Sequence, residues 1–320
     1  MAVSLGINPI TWTNDDMPEL GGDIPLETCL AETRIAGYSG IELGGKFPRD
    51  PALLKPILAR HRLHLVSGWY SAQLARRSAA EEITALAPHL DLLAAMGCTA
   101  MVFAEGHGST DGNPAAPLSH RPVLADAAWP EFCAKLDAVA HHVRQRGVRL
   151  AFHHHMGTVV QTEAEIDRLM ANTNDDVSLL LDTGHLVFAG GDPASVARRH
   201  GARIAHVHCK DVRTAVLADT LRDDRSFLRA VLDGVFTVPG DGSIDFVAVL
   251  RALHPFDYSG WLVVEAEQDP AKAHPLTYAR LGYRNLKAAA EAAGFGILVA
   301  CARRAVPRAN TGARSAKVLH

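Results

Sequence analysis

A short apolar, β-branched run followed by a longer segment of helical period recurs eight times along this chain, and no other feature limits the fold as strongly. The predicted strands are Val3–Asn8, Gly40–Leu43, Leu63–Trp69, Ala100–Ala104, Arg149–His153, Val177–Asp182, Ile204–His208 and Gly260–Glu265. The helices between them are predicted at Pro25–Ala36, Pro51–Arg60, Ala79–Met96, Trp129–Arg146, Glu163–Ala171, Pro193–His200, Ile244–Leu253 and Pro275–Ala292. Asp50-Pro51 and Asp192-Pro193 each put a capping side chain before a proline suited to the first helical turn. Gly37, Gly97, Gly147 and Gly201 stand where helices should hand over to strands.

Such alternation builds a parallel sheet with helical crossovers, and eight units suggest closure. An open doubly wound sheet is disfavoured because GxGxxG is missing after the first strand. The expected fold class is therefore α/β, a (β/α)8 TIM barrel forming one domain over residues 1–295. Two stretches break the rhythm, Glu105–Ala128 and Asp211–Gly242, after the fourth and seventh strands. Barrel active sites lie at the C-terminal strand ends, so both are expected to be lids at the mouth. Residues 296–320 turn basic and aperiodic, and are expected to form a poorly ordered tail outside the fold.

Composition narrows the partners. The chain has 320 residues, 48% hydrophobic and 21% charged, as a globular protein with a full core requires. A net charge of -3, from 32 basic and 35 acidic residues, gives no footprint for nucleic acid or an anionic membrane. Five dispersed cysteines (Cys29, Cys98, Cys133, Cys209 and Cys301) read as reduced thiols of a cytoplasmic protein. No signal peptide or bilayer-spanning run is expected, and a homo-oligomer is allowed. Histidine, at 17 residues, is the count that stands out.

Ionisable residues gather at the predicted C-terminal strand ends. Glu105 ends strand four (MVFAEGHG), His153, His154 and His155 end strand five (LAFHHHMGT), and Asp182 ends strand six (LLLDTGH). His206 and His208 end strand seven (IAHVHCKD), with Lys210 and Asp211 just beyond, and Glu265 and Glu267 end strand eight (WLVVEAEQD). In a closed barrel these side chains converge on the axis. Mixed imidazole and carboxylate donors suit Mn²⁺, Co²⁺, Fe²⁺ or Zn²⁺ better than Mg²⁺ or Ca²⁺. Period two puts His206 and His208 on one side, so spacing does not choose between them, while His154 points to the other face and reads as structural. Asp182 follows three leucines and needs a cation or donor to answer its charge. Glu42, ending strand two, either reaches the site or pairs with a basic residue. Trp12 and Trp69 read as an apolar wall for a sugar ring or as core. His185 reads as a substrate contact, with capping by Asp182 or Thr183 as the plainer reading of the DTGH turn.

These motifs carry a resemblance. The run LDTGH, HVHCKD, VPGDGSIDF and VVEAE resembles the xylose isomerase-like TIM barrel superfamily, which includes xylose isomerases, ketose 3-epimerases and endonuclease IV. Within it, INPITWTNDDMPELGG, KFPRDP, HHHMGTVVQT and EAEQDPAKA look like the myo-inosose-2 dehydratases of inositol catabolism, over about Val3 to Phe295. The resemblance implies a metal site on strands five to eight, with Asp182, His208 and Glu265 matching its last three ligands. His153 stands where epimerase-like members carry glutamate, which leaves His153 and His155 as alternatives for the first ligand. It further implies Mn²⁺ or Co²⁺ as cofactor and a small cyclic polyol ketone as substrate. The implied reaction is dehydration of scyllo-inosose to a trihydroxycyclohexane-1,2-dione through an enediolate. Acid and base are to be found among His155, Glu105, His185, Lys210 and Glu267, without assignment. A metal-dependent sugar isomerase or epimerase of the same fold is the alternative. A nuclease-like barrel would want a basic groove, and the acidic net charge counts against it.

Overall fold

In the computed structural model, which describes residues 1–298, the eight predicted runs form a closed parallel barrel. The strands are Ala2–Ile7, Gly40–Leu43, His64–Ala72, Ala100–Glu105, Arg149–His153, Val177–Asp182, Ile204–Cys209 and Trp261–Val264, referred to below as strands one to eight. Each pairs with the next in chain order, and strand eight closes on strand one through Ser4 opposite Trp261 and Ile7 opposite Val264. Four of the predicted helices, Ala79–Met96, Glu163–Ala171, Pro193–His200 and Pro275–Ala292, and three strands, Gly40–Leu43, Arg149–His153 and Val177–Asp182, have the predicted limits, and each remaining element shifts at one or both ends by one to three residues.

Local chemistry explains those limits. Asp50 and Asp192 accept the amides of Ala52 and Ala194 before their prolines. Ser78 with Glu81 and Thr162 with Glu165 form reciprocal capping boxes. Gly37 and Gly97 end helices in the left-handed region, with φ of 114° and 79°. Gly201 also ends a helix but stays right-handed. It is glycine for space: a Cβ there would lie 2.1 Å from the Phe256 ring.

The barrel interior fills from the bottom upward. Val66, Trp261 and Val263 plug one end, with Gly6 and Gly40 making room for the rings and methyls beside them. Ala100, Val102, Ala151 and Leu180 form the next cluster. Strand alternation then carries the same inward rows up to His153, two residues past Ala151, and Asp182, two past Leu180. The apolar plug below is the floor of a polar site.

Two expectations need correction. The segment 211–242 is not irregular: it holds helices Thr214–Arg222 and Phe227–Leu232 and a small antiparallel pairing of Asp211–Val212 with Phe236–Thr237. A further short helix, Thr183–Phe188, follows strand six directly. The barrel also runs beyond residue 295, since Gly296–Ile297 pairs with Ala2 and Val3. The rest of the proposed tail, 299–320, lies outside the described residues. Among those described, no helix is long and apolar enough to cross a membrane.

Candidate metal centre and active site

Asp182 is the pivot of the mouth, and its two oxygens do different work. Oδ1 accepts the His185 amide at 2.9 Å and caps the helix Thr183–Phe188. Oδ2 is buried without a hydrogen bond, 3.4 Å from His153 Nε2 and 3.5 Å from His208 Nδ1. Donor atoms of these three residues all lie within 4.8 Å of one another. Burial favours the neutral acid, but Lys210, His185, His153 and His208 outweigh it and hold the Asp182 carboxyl well below the usual range. His154, on the opposite face, accepts the Asp182 amide at 3.2 Å and braces the strand end, as its alternation predicts.

His208 is gripped from across the barrel. Its Nε2 lies 3.2 Å from Glu42 Oε1, and His206 Nε2 lies 2.9 Å from the same oxygen. Glu42 also accepts Ser67 Oγ at 2.6 Å and Asn8 Nδ2 at 2.7 Å. Burial would lower the His208 pKa. The Glu42 charge, the contacts to Asp182 and Glu42, and the charge of Glu265 push it up to about 10 instead. Glu265 lines the same cavity but stands outside the His153–Asp182–His208 trio, with Oε2 held 2.6 Å from Lys210 Nζ.

A second cluster, His155, His185 and Glu267, adjoins the first. His155 Nδ1 lies 2.7 Å from the Met156 carbonyl. A carbonyl only accepts, so Nδ1 carries the proton and Nε2 is left with its lone pair. His185 has both ring nitrogens engaged, by the Met156 amide at 3.2 Å and Lys210 Nζ at 2.9 Å. Lys210 is fully buried and does not line the cavity; its Nζ sits 3.3 Å from Glu267 Oε1 and 4.3 Å above the Phe236 ring. Burial pushes the Glu267 carboxyl up to about 7, against the pull of Lys210.

Glu105 is placed at the mouth, but both oxygens are taken by backbone amides, Leu74 at 2.7 Å and His107 at 3.0 Å. It ties two loop ends together. Burial still pushes its carboxyl from 4.5 up to about 7. The folded chain therefore holds a proton between those values that the unfolded chain releases. That contribution is complete below pH 4.5 and lost as pH rises through 7, about 3 kcal/mol in all. Denaturation of wild type and Glu105→Gln from pH 4.5 to 8 should show wild type losing stability relative to the variant. A constant difference would mean that the carboxyl is ionised throughout.

His153 and His208 of the first cluster and all three residues of the second line one cavity of about 320 Å³, with Asp182 buried behind them; its wall includes Trp69, which is 40% exposed and meets His153 and His155 edge-on. Trp12 is core, fully buried with its indole nitrogen on Glu32. Both predicted lids reach this mouth. Ser109 and Asp111 of one line the cavity, while Phe227 and Phe236 of the other back His185. The lids join each other through the Leu118 amide on the Arg225 carbonyl. Asp15 and Asp16, from the loop after strand one, also line the cavity and were not singled out in the sequence. Their only signal is the acidic pair inside TNDDMPELGG.

Residues 30–295 match the family model described as xylose isomerase-like TIM barrel. The chain is 52% identical over 295 residues to the rhizopine catabolism protein MocC of Rhizobium meliloti, covering 92% of this chain and 91% of that one. It is 48% identical over 279 residues to the inosose dehydratase of Geobacillus thermodenitrificans, covering 87% and 94%. Among solved structures it is similar to an IOLI protein with a zinc atom, at a TM-score of 0.63, 18% identity, and 91% and 98% coverage. That likeness concerns the fold.

Proposed function

The chain belongs to the xylose isomerase-like TIM barrel family, and from that premise we propose that it dehydrates an inosose, removing water from scyllo-inosose to give a trihydroxycyclohexane-1,2-dione. The observation that carries the reading is the pairing of a nitrogen–oxygen donor trio with a free imidazole lone pair in one cavity. Relatives named as inosose dehydratases at 45–48% identity support the reaction class.

The trio fits a divalent cation on its own chemistry. A buried carboxylate oxygen without a hydrogen bond, flanked by two imidazole nitrogens, is costly unless a positive charge answers it. His153, Asp182 and His208 would hold the ion, with Glu265 beside them as fourth ligand, and Mn²⁺ or Co²⁺ suits the set. When bound, such an ion polarises the ketone and stabilises the negative charge that develops on its oxygen.

The protein's own groups do the proton work. His155 Nε2 takes the hydrogen from the carbon next to the ketone, because its Nδ1 proton is fixed on the Met156 carbonyl. Glu267, whose Oε1 is steadied by Lys210, delivers a proton to the departing β-hydroxyl. Loss of water leaves an enol that tautomerises to the dione. His185 and Lys210 hold these two in place, and Glu105 holds the loops. Trp69 offers an apolar face to the ring.

The lining explains the substrate class. Among the described residues it includes the carboxylates of Asp15, Asp16, Glu42, Glu105, Asp111, Glu265 and Glu267 and no lysine or arginine. A phosphate ester would meet repulsion there, whereas an uncharged polyol ketone would not. The reduced, buried thiols of Cys29, Cys98, Cys133 and Cys209 fit a cytoplasmic enzyme. Protein loaded with Mn²⁺ or Co²⁺ should convert scyllo-inosose to a dione seen by its ultraviolet absorbance, and should leave fructose unisomerised. Ketose isomerisation without dione formation would replace this reading with that of an isomerase.

A further inference from the structure

We propose that Glu42 is a positioning residue for the metal centre: it fixes the tautomer that His208 takes when it gives up a proton to bind a metal, keeping the remaining proton on Nε2 and leaving Nδ1 as the donor beside Asp182. The inference rests on the metal reading of the His153–Asp182–His208 trio and goes beyond its ligands.

Glu42 stands on strand two and His208 on strand seven, which are not neighbours in the sheet. The contact crosses the barrel interior, so backbone pairing does not produce it. Glu42 is 2% exposed, and its four donors come from four sources: Asn8, Ser67, His206 and His208. Two of them, Asn8 Nδ2 and Ser67 Oγ, hold the carboxylate still whatever the histidines do. Its Oε1, which can only accept once the carboxyl is ionised, lies 3.2 Å from His208 Nε2 and therefore keeps a proton on that nitrogen when the other is surrendered to a metal.

The consequence falls on the opposite nitrogen. His208 Nδ1 is buried, makes no hydrogen bond and sits 3.5 Å from the unbonded Asp182 Oδ2. A histidine binds a metal only through an unprotonated nitrogen, and the partner of its other nitrogen decides which one that is. Glu42, His208 and Asp182 are thus arranged as carboxylate, imidazole and ligand site in sequence. His206, on the same inward row, meets the same Glu42 oxygen and the edge of the His208 ring, and fills the floor below.

The test is Co²⁺ affinity, followed by the visible absorption of the bound ion, for wild type, Glu42→Gln and Glu42→Ala. Metal-free thermal unfolding is measured beside it. Losing such a partner typically costs 10–100-fold in metal affinity. Glu42→Ala should fall in that range, and Glu42→Gln, which can still accept from Nε2, should lose less. Nitrogen NMR of the metal-loaded protein should find the His208 proton on Nε2 in wild type and lose that preference in Glu42→Ala. Should Glu42→Ala not fold, Ser67→Ala serves in its place, since it frees the carboxylate without burying an unpaired one, and a several-fold loss of affinity is expected. Variants that fold and bind Co²⁺ as tightly as wild type would overturn the inference while leaving the metal reading intact. Wild type without Co²⁺ affinity would overturn both.

Discussion

Replacing His155 with Gln is expected to abolish exchange of the substrate's α-hydrogen with deuterated solvent and to lower kcat by about 10²–10⁴, the range of a lost general base. The reason is geometric. Of the five acid–base candidates at the mouth, His155 has a ring nitrogen with its lone pair uncommitted, because Nδ1 is spent on the Met156 carbonyl. His185 has none to spare, Lys210 is walled in by Glu265, Glu267 and Phe236, and both Glu105 oxygens hold amides. Glu267→Gln should behave differently. The α-hydrogen should still exchange, since His155 remains, but dione formation should stop because no group protonates the leaving hydroxyl. Proton NMR of substrate in deuterated buffer reads both steps at once. If Glu267→Gln removes exchange as well, one residue serves both steps and the division of labour proposed for this site is wrong.

The second large effect concerns Asp182, where two substitutions should separate two functions. Asp182→Asn keeps a side-chain oxygen for the His185 amide, since asparagine caps helices as well as aspartate does. Asp182→Ala removes that oxygen and should cost about 1 kcal/mol for the cap alone. It also takes a carboxylate from among His153, His208 and Lys210, and burying their charges unanswered adds to the loss. Both variants should lose bound metal and turnover by at least about 10³-fold if the ion supplies the main electrostatic stabilisation of the reaction. Metal content after dialysis and the denaturation midpoint measure the two separately. An Asp182→Asn protein that keeps its metal and its rate would remove this residue from the centre.

Much of this was legible in the sequence because it is written locally. Eight apolar runs, the Asp-Pro caps and the glycine handovers each depend on residues within a turn of one another, and their sum closes the barrel. Period-two alternation correctly turned His154 away from the mouth and His153 toward it. What was not legible depends on contacts across the barrel. Glu42 and His208 are 166 residues apart, and no spacing rule joins them. The two roles of Asp182 could be posed from DTGH only as alternatives, because they use different oxygens of one side chain. The segment 211–242 read as a loop since Gly, Asp and Pro punctuate its ends, although LRDDRSFLRAVL within it packs Phe227 and Leu228 as a buried helical face. Asp15, Asp16 and Asp111 lie on loops, where hydrophobic periodicity carries no information about direction.

The most direct measurement is anomalous diffraction, at the Mn or Co edge, from crystals of the metal-loaded protein. The account predicts one strong peak bounded by His153, Asp182 Oδ2 and His208 Nδ1, with Glu265 turned toward it and donor distances of about 2.0–2.3 Å. A peak among His155, His185 and Glu267, with Asp182 Oδ2 left without a ligand, would contradict it, because the proposed base would then be a ligand and could take no proton.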